Sequence, residues 1–282
     1  GNERYDSVAV TLDELLPYKS MQLFHPSRIV VDVYGATSNT NWITQRTSLK
    51  EIKNVYHEQV EDDVYRITIE LKNHQHWGYS IYYIGKRLVI KVKRQHPELD
   101  MECLKIAVDA GHGGSNSGAT GVTTKIQEKK YTLLIAKELE KHLKLAGATV
   151  FMTRNEDIGL SMPDRIEILK KEDPDFLISI HLNSSAKDSI KGVSTYYKHI
   201  GFRPLSQFIQ EKMLEIGLVD FGNIGSFNFA LNGPTDYPNC LVEVAFLSNP
   251  EDEKRILDPD FHHDVARQIV KGIKEWLRYC RR

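Results

Sequence analysis

Two histidines and two glutamates stand out as residues that could do chemistry together. His112 follows a short apolar run, Leu104–Asp109, and is flanked by Gly111, Gly113 and Gly114. His181 ends a second apolar run, Phe176-Leu177-Ile178-Ser179-Ile180, where a titratable group needs a partner. Glu243 lies inside Cys240–Phe246, a run that otherwise reads as a core strand. A carboxylate there is costly unless it is paired, near a metal or open to a cleft. Glu128 sits at the start of a long helical pattern, where the macrodipole alone favours an acid. Two histidines and one carboxylate can hold a catalytic zinc ion with a fourth position left for water, and a second carboxylate can then serve as general base. The separations between these four residues, 16, 53 and 62 positions, impose no register, so residue type and surroundings carry the reading.

The elements that must position them follow from periodicity. Up to about residue 94 the apolar residues alternate with a period of two, as in Ile29, Val31 and Val33, in Tyr65, Ile67, Ile69 and Leu71, and in Leu88, Ile90 and Val92. Gly35, Asn73 and Gly85-Lys86 punctuate these strands. Leu12–Leu16 is the one stretch there that could be helical. A small antiparallel β domain over 1–98 is expected, ending in the polar segment Gln95–Asp100. Beyond it, over 101–282, strands and helices alternate. Strands are expected at Leu104–Asp109, Thr149–Thr153, Phe176–Ile180, Val193–Tyr197 and Leu241–Phe246. Helices are expected at Gln127–Leu145 (with Leu134, Ile135, Leu139 and Leu143 inward), from the Ser161/Asp164 capping box to Lys171, at Leu205–Ile216 and at Phe261–Tyr279. This pattern predicts an α/β fold with a mostly parallel sheet and helices on both faces, preceded by the small all-β domain. In such sheets sites form at the carboxyl ends of strands, and His112 and His181 fall there.

Composition removes several classes of function. Hydrophobic residues make up 41% and charged residues 27%, so the chain is not disordered. No apolar run reaches the ~18 residues that a membrane-spanning helix needs. The net charge is −1 and both halves are balanced, which argues against nucleic acid as a partner. Cys103, Cys240 and Cys280 form no CxxC and no disulfide framework; Cys103 and Cys240 read as small buried hydrophobes. The chain opens Gly1-Asn2-Glu3-Arg4, without an apolar segment, so the protein is either cytosolic or has had a signal peptide removed. Gly111–Gly118 is neither GxGxxG nor GxSxG, and His57-Glu58 is closed by Glu61 rather than by the histidine of HExxH. His262-His263 reads as a solvated pair near the start of a surface helix. Trp77, Tyr79, Tyr82 and Tyr83 read as strand core.

Four blocks, in order, resemble one family. They are Val108-Asp109-Ala110-Gly111-His112-Gly113-Gly114, Gln127-Glu128-Lys129, Ser179-Ile180-His181-Leu182-Asn183-Ser184, and Leu241-Val242-Glu243-Val244-Ala245-Phe246 continuing through Asn249-Pro250 to Asp252. Together they are similar to the zinc-dependent N-acetylmuramoyl-L-alanine amidases of bacterial cell walls, the amidase-3 type. Leu160–Arg165 and Gly192–Tyr197 match more loosely. Ala110 stands where the family usually has proline, and the loop leading to Glu128 is slightly long. The resemblance implies Zn²⁺ held by His112, Glu128 and His181, with Glu243 as catalytic glutamate. Glu243 would take a proton from water and return it to the leaving amine, and Asn183 would hydrogen-bond substrate or a ligand. The bond cut would be the amide joining muramic acid to L-alanine of the peptidoglycan stem peptide. The alternatives are another zinc-dependent peptidoglycan peptidase and a non-catalytic wall-binding module. The first domain more loosely resembles the wall-targeting AMIN domain. The same resemblance implies a monomer in the periplasm or cell envelope, with a divisome or wall-associated activator as a further partner. Only Leu182–Lys191 separates His181 from Gly192, too short for the helical lid that some family members carry.

Overall fold

A computed structural model describes residues 3–38, 43–44 and 46–282. The chain divides into two compact units, Gly1–Pro97 with His199–Gly201 and Thr235–Tyr237, and the remainder from Glu98 to Arg282.

Among the described residues the first unit contains seven strands, β1 (Tyr5–Thr11), β2 (Tyr18–Leu23), β3 (Arg28–Tyr34), β4 (Ile52–Glu61), β5 (Val64–Leu71), β6 (Tyr79–Ile84) and β7 (Arg87–Lys93). They form two antiparallel sheets, ordered β2-β3-β5-β4 and β1-β7-β6. In-register pairs such as Val31 with Ile67 and Ile29 with Ile69 put apolar side chains of neighbouring strands on one face. These residues join Leu88, Ile90 and Val92 of the other sheet in one core. Asp6 of β1 clasps the opposite sheet. Its Oδ2 accepts the backbone N–H groups of Lys50, Glu51 and Ile52 at 3.0, 2.7 and 2.9 Å, while its Oδ1 accepts from the Arg94 guanidinium. Leu12–Leu16 is not helical. Pro17 disfavours a helical residue before it, and Leu12 and Leu16 pack against the core from an irregular segment. Of the four aromatics, Trp77 and Tyr79 are buried, whereas Tyr82 is exposed.

The second unit contains a six-stranded sheet of β8 (Lys105–Ala110), β9 (Thr149–Met152), β10 (Phe176–Asn183), β11 (Val193–Tyr196), β12 (Asp220–Ile224) and β13 (Asn239–Phe246). Its order is β12-β11-β13-β10-β8-β9. The pairings are parallel except β11 with β13, so the β11–β12 edge runs against the rest and the sheet is mixed. Helices α1 (Glu128–Leu145), α2 (Met162–Glu172), α3 (Arg203–Leu214), α4 (Pro250–Ile256) and α5 (Pro259–Cys280) flank it. Helix α1 buries Tyr131, Thr132, Ile135, Ala136, Leu139 and Leu143, a helical stripe, and packs on both α5 and the sheet. Leu134 falls one position off that stripe and is exposed. Helix α2 starts at the Ser161/Asp164 capping box with proline in its first turn. The strand β12 and the short helix α4, about two turns long, do not follow from the periodicity of the sequence. Cys240 and Cys280 are buried, but Cys103 is half-exposed, because it closes a 3₁₀ turn ahead of β8 rather than entering the strand.

Burial alone would push the Asp6 carboxyl up, but the N–H of Ile52 and the Arg94 guanidinium outweigh it and hold it below its usual range. The clasp therefore contributes fully above about pH 4 and is lost as pH falls through the folded value. Asp6→Ala is expected to lower stability by about 3–5 kcal/mol, because it strands Arg94 and three amides. An unchanged urea midpoint would show that the clasp does not hold the two sheets together.

Candidate metal centre and catalytic cleft

The sheet order reverses between β8 and β10. The chain leaves β8 through α1 to β9 on one side, then crosses through α2 to β10 on the other. A crevice opens at such a point beyond the carboxyl ends of the strands. His112 lies just past β8, and His181 lies inside β10 near its end. The turn that carries His112 is held by its carbonyls. Arg154 Nε donates to Ala110 O at 2.9 Å, and Arg154 Nη2 and Thr132 Oγ1 donate to Gly111 O, both at 2.8 Å. Arg165 donates to the carbonyls of Ala110 and His112 and to the buried carboxylate of Asp109. Thr153 and Ser179 complete the Asp109 shell. The His112 backbone has φ 61°, a left-handed conformation that is uncommon outside glycine and that these bonds impose.

Three side chains converge there. His112 Nε2 lies 3.1 Å from Glu128 Oε2, and His181 Nδ1 lies 3.1 Å from Glu128 Oε1. The donor atoms all fall within 4.8 Å of one another and could hold a metal ion. Each Glu128 oxygen also accepts a backbone N–H, Oε2 from Ala119 at 2.8 Å and Oε1 from Leu182 at 3.0 Å. Burial would raise the Glu128 carboxyl, but the two histidines outweigh it and hold it far below its usual range. His112 Nδ1 lies 2.9 Å from Asn116 Oδ1, a bond that turns the ring so that its Nε2 lone pair faces the cleft. The cradle leaves no spare room. A Cβ at Gly111 would come within 2.4 Å of the His181 ring, and one at Gly118 within 2.4 Å of Glu128 Oε2.

Glu243 pairs in register with His181 across the parallel β10–β13 ladder, and a bulge follows immediately, between His181 and Asn183. Its carboxyl lines the same 360 Å³ cleft as His112, Glu128, His181 and Asn183. Glu243 is 7% exposed, and its Oε2 is buried without a hydrogen-bond partner. Burial pushes its carboxyl up to about 7, against a downward pull from His181. Burial also works against a charged His181, yet Glu128 and Glu243 hold that imidazole above its usual range. Both carboxylates thus favour a positive charge at this point, as a proton or as a cation. Two imidazoles, an ionised carboxylate and an unpartnered carboxyl oxygen form a donor set that fits a zinc-class ion with a base beside it.

The four candidates and Asn183 are therefore brought to one cleft. Asn183 Oδ1 also accepts the Ser184 N–H at 2.8 Å. Asn116, Thr132 and Arg154, which support the site, belong to none of the blocks that mark it in the sequence; Arg154 is signalled there only by its place just past the apolar strand β9. The histidine pair on α5 is not solvated as a pair. His262 is buried, with Nε2 2.6 Å from Ile256 O, because it faces back along α4; only His263 is exposed. Between β10 and β11 the chain forms no helix, and the cleft is open.

Residues 106–275 match the N-acetylmuramoyl-L-alanine amidase family, Amidase_3, and residues 2–94 match the AMIN domain. The probable cell wall amidase LytH of Staphylococcus epidermidis is 36% identical over 173 residues, 61% of this chain and 58% of LytH. The chain thus spans little more than half the length of that relative. The catalytic domain of CwlV, an N-acetylmuramoyl-L-alanine amidase from Bacillus (Paenibacillus) polymyxa var. colistinus, superposes with TM-score 0.59 at 33% identity, covering 62% of this chain and 98% of that one. An N-acetylmuramoyl-L-alanine amidase from Clostridium difficile 630 gives TM-score 0.60 at 29% identity, over 63% and 98%. Matched by the family model over more than half of its length and sharing the fold of these structures, the chain belongs to the Amidase_3 family of N-acetylmuramoyl-L-alanine amidases.

Proposed function

We propose that this chain is a zinc-dependent amidase that hydrolyses the bond between the lactyl group of N-acetylmuramic acid and L-alanine of the peptidoglycan stem peptide. The observation that carries the reading is the unpartnered Oε2 of Glu243 in the cleft formed by His112, Glu128 and His181. His112, Glu128 and His181 would hold the ion. When bound, zinc lowers the pKa of water toward about 7 and offsets charge that develops on a carbonyl oxygen.

The remaining work falls to the chain's own groups. Glu243 Oε2 accepts a proton from the attacking water and later delivers it to the departing L-alanine nitrogen. The products are a lactyl carboxylate and a free peptide amine. Its raised carboxyl suits both halves of that task, since the ideal proton carrier titrates near the working pH. Asn116 fixes the His112 tautomer, and the Asn183 amide stands at the cleft wall to hydrogen-bond the substrate. The β domain over 1–98 would place the enzyme on the wall, in keeping with its match to the AMIN family, and the segment 101–282 would carry catalysis. A cell-envelope location follows from that substrate. Among the described residues no helix is long and apolar enough to cross a membrane.

The reading is tested on purified sacculi. Chelation should abolish release of material, Zn²⁺ should restore it, and the new terminus should be the free amine of L-alanine. A different new terminus would assign a stem-peptide peptidase, and binding without release would leave a wall-binding module. Glu243→Gln should keep its metal and lose about 10²–10⁴-fold in kcat. Unchanged turnover would remove Glu243 from proton transfer. Activity should fall on the acid side as Glu243 becomes protonated, with the limb below pH 7 because a bound cation draws its carboxyl down from about 7. Asn116→Ala should weaken metal affinity by about 10–100-fold. Equal affinity in a competition titration would show that the Asn116 bond does not orient His112.

A further inference from the structure

We propose a second divalent-metal site on the outer surface of the second unit, where Glu138 and His142 of α1 meet His263 of α5, with Zn²⁺ as the ion it takes.

Glu138 and His142 are four residues apart and so share one face of α1. His263 lies in the second turn of α5, the helix packed against α1. Their polar atoms close a small triangle. His142 Nε2 is 3.0 Å from His263 Nδ1, His263 Nδ1 is 3.2 Å from Glu138 Oε1, and His142 Nε2 is 3.4 Å from the same oxygen. Three ligand atoms on a tetrahedral zinc ion, each at about 2.0–2.1 Å from the metal, lie about 3.3–3.4 Å apart. The observed triangle is close to one face of that tetrahedron. The two rings meet at 67° with centroids 4.5 Å apart, so their nitrogens converge on a point instead of stacking. His112 and His181 in the catalytic cleft meet in the same edge-on manner, at 76° and 5.0 Å.

Two imidazole nitrogens at 3.0 Å must share a proton or a cation, because two bare lone pairs repel. Burial and the neighbouring His263 hold His142 below the usual imidazole range, the neutral form that a metal needs. Burial works against ionisation of Glu138, but Lys141 and His263 outweigh it and keep the carboxylate charged. Lys141 is the competitor for the ion. Its Nζ lies 3.1 Å from Glu138 Oε1, but the side chain is 62% exposed and can swing into solvent. Imidazole ligands select zinc-class ions over magnesium and calcium. His263 is 51% exposed, which leaves an approach for the ion and for water as the outer ligand. Glu138 lies ten residues along α1 from Glu128, about 15 Å at the helical rise, so the two sites are separate. A cation there would staple α5 to the helix whose first residue enters the catalytic cleft.

The test uses the full chain, stripped of metal and dialysed to equilibrium against ZnCl₂ or MgCl₂, with bound metal counted per chain and melting followed in parallel. The wild type should hold two zinc ions, His263→Ala one, His112→Ala one and the double variant none, and magnesium should bind at neither site. Zinc should raise the melting temperature of His112→Ala but not of the double variant. His263→Ala should hydrolyse sacculi at the wild-type rate when zinc is saturating. Wild type and His263→Ala with the same zinc content and the same zinc-dependent melting shift would overturn the second site. Loss of the catalytic reading would look different, with zinc content unaffected by His112→Ala.

Discussion

Everything in the cleft depends on how the three carbonyls of Ala110, Gly111 and His112 are held. Backbone oxygens at the end of a strand have lost their ladder partners and, when buried, must find others. Here Arg154, Arg165 and Thr132 supply the donors, and Asp109 supplies the counter-charge for Arg165. Both guanidiniums are almost completely buried. That arrangement keeps a non-glycine residue in a left-handed backbone conformation, and so fixes the direction from which His112 enters the cleft. Removing either Asp109 or Arg165 would leave an uncompensated buried charge next to the site, which is costlier than the loss of a single hydrogen bond.

A second constraint is electrostatic. Glu128 is buried at the first turn of α1 and takes two backbone amides as well as two imidazole contacts. Glu243 is equally buried but has no such donors around its Oε2. The same residue type therefore plays opposite parts. One carboxyl is driven towards permanent ionisation and suits a ligand, while the other is held near neutrality and suits proton exchange.

Much of this could be read from residue order because each key side chain breaks a local rule. His181 and Glu243 interrupt apolar strands, and His112 sits among glycines. Such violations concentrate at functional sites. Strand and helix positions in the second unit followed from periodicity, and the helix cap at Ser161 marked a real boundary. What was illegible depends on tertiary partners. Nothing local in Val193–Tyr196 reveals that it runs antiparallel to β13, and β12 carries Gly222 and Asn223, which weaken its strand signal. Leu12 and Leu16 have the spacing of a helical turn but serve as apolar plugs in an irregular segment. Asn116 could be recognised as a support for His112 only once the loop was folded, because the contact depends on the turn from Gly113 to Asn116.

The three thiols have a consequence for how the fold is held together. Cys240 and Cys280 are enclosed by apolar surroundings that push their thiols up, far from the thiolate form that reacts with oxidants. Cys103, though half-exposed, hydrogen-bonds to Glu98, and that carboxylate also raises its thiol. All three thiols are held towards the protonated form, the two buried ones by their apolar surroundings and Cys103 by its acidic neighbour. The fold is therefore held together by packing and hydrogen bonding alone, with no covalent link among its cysteines.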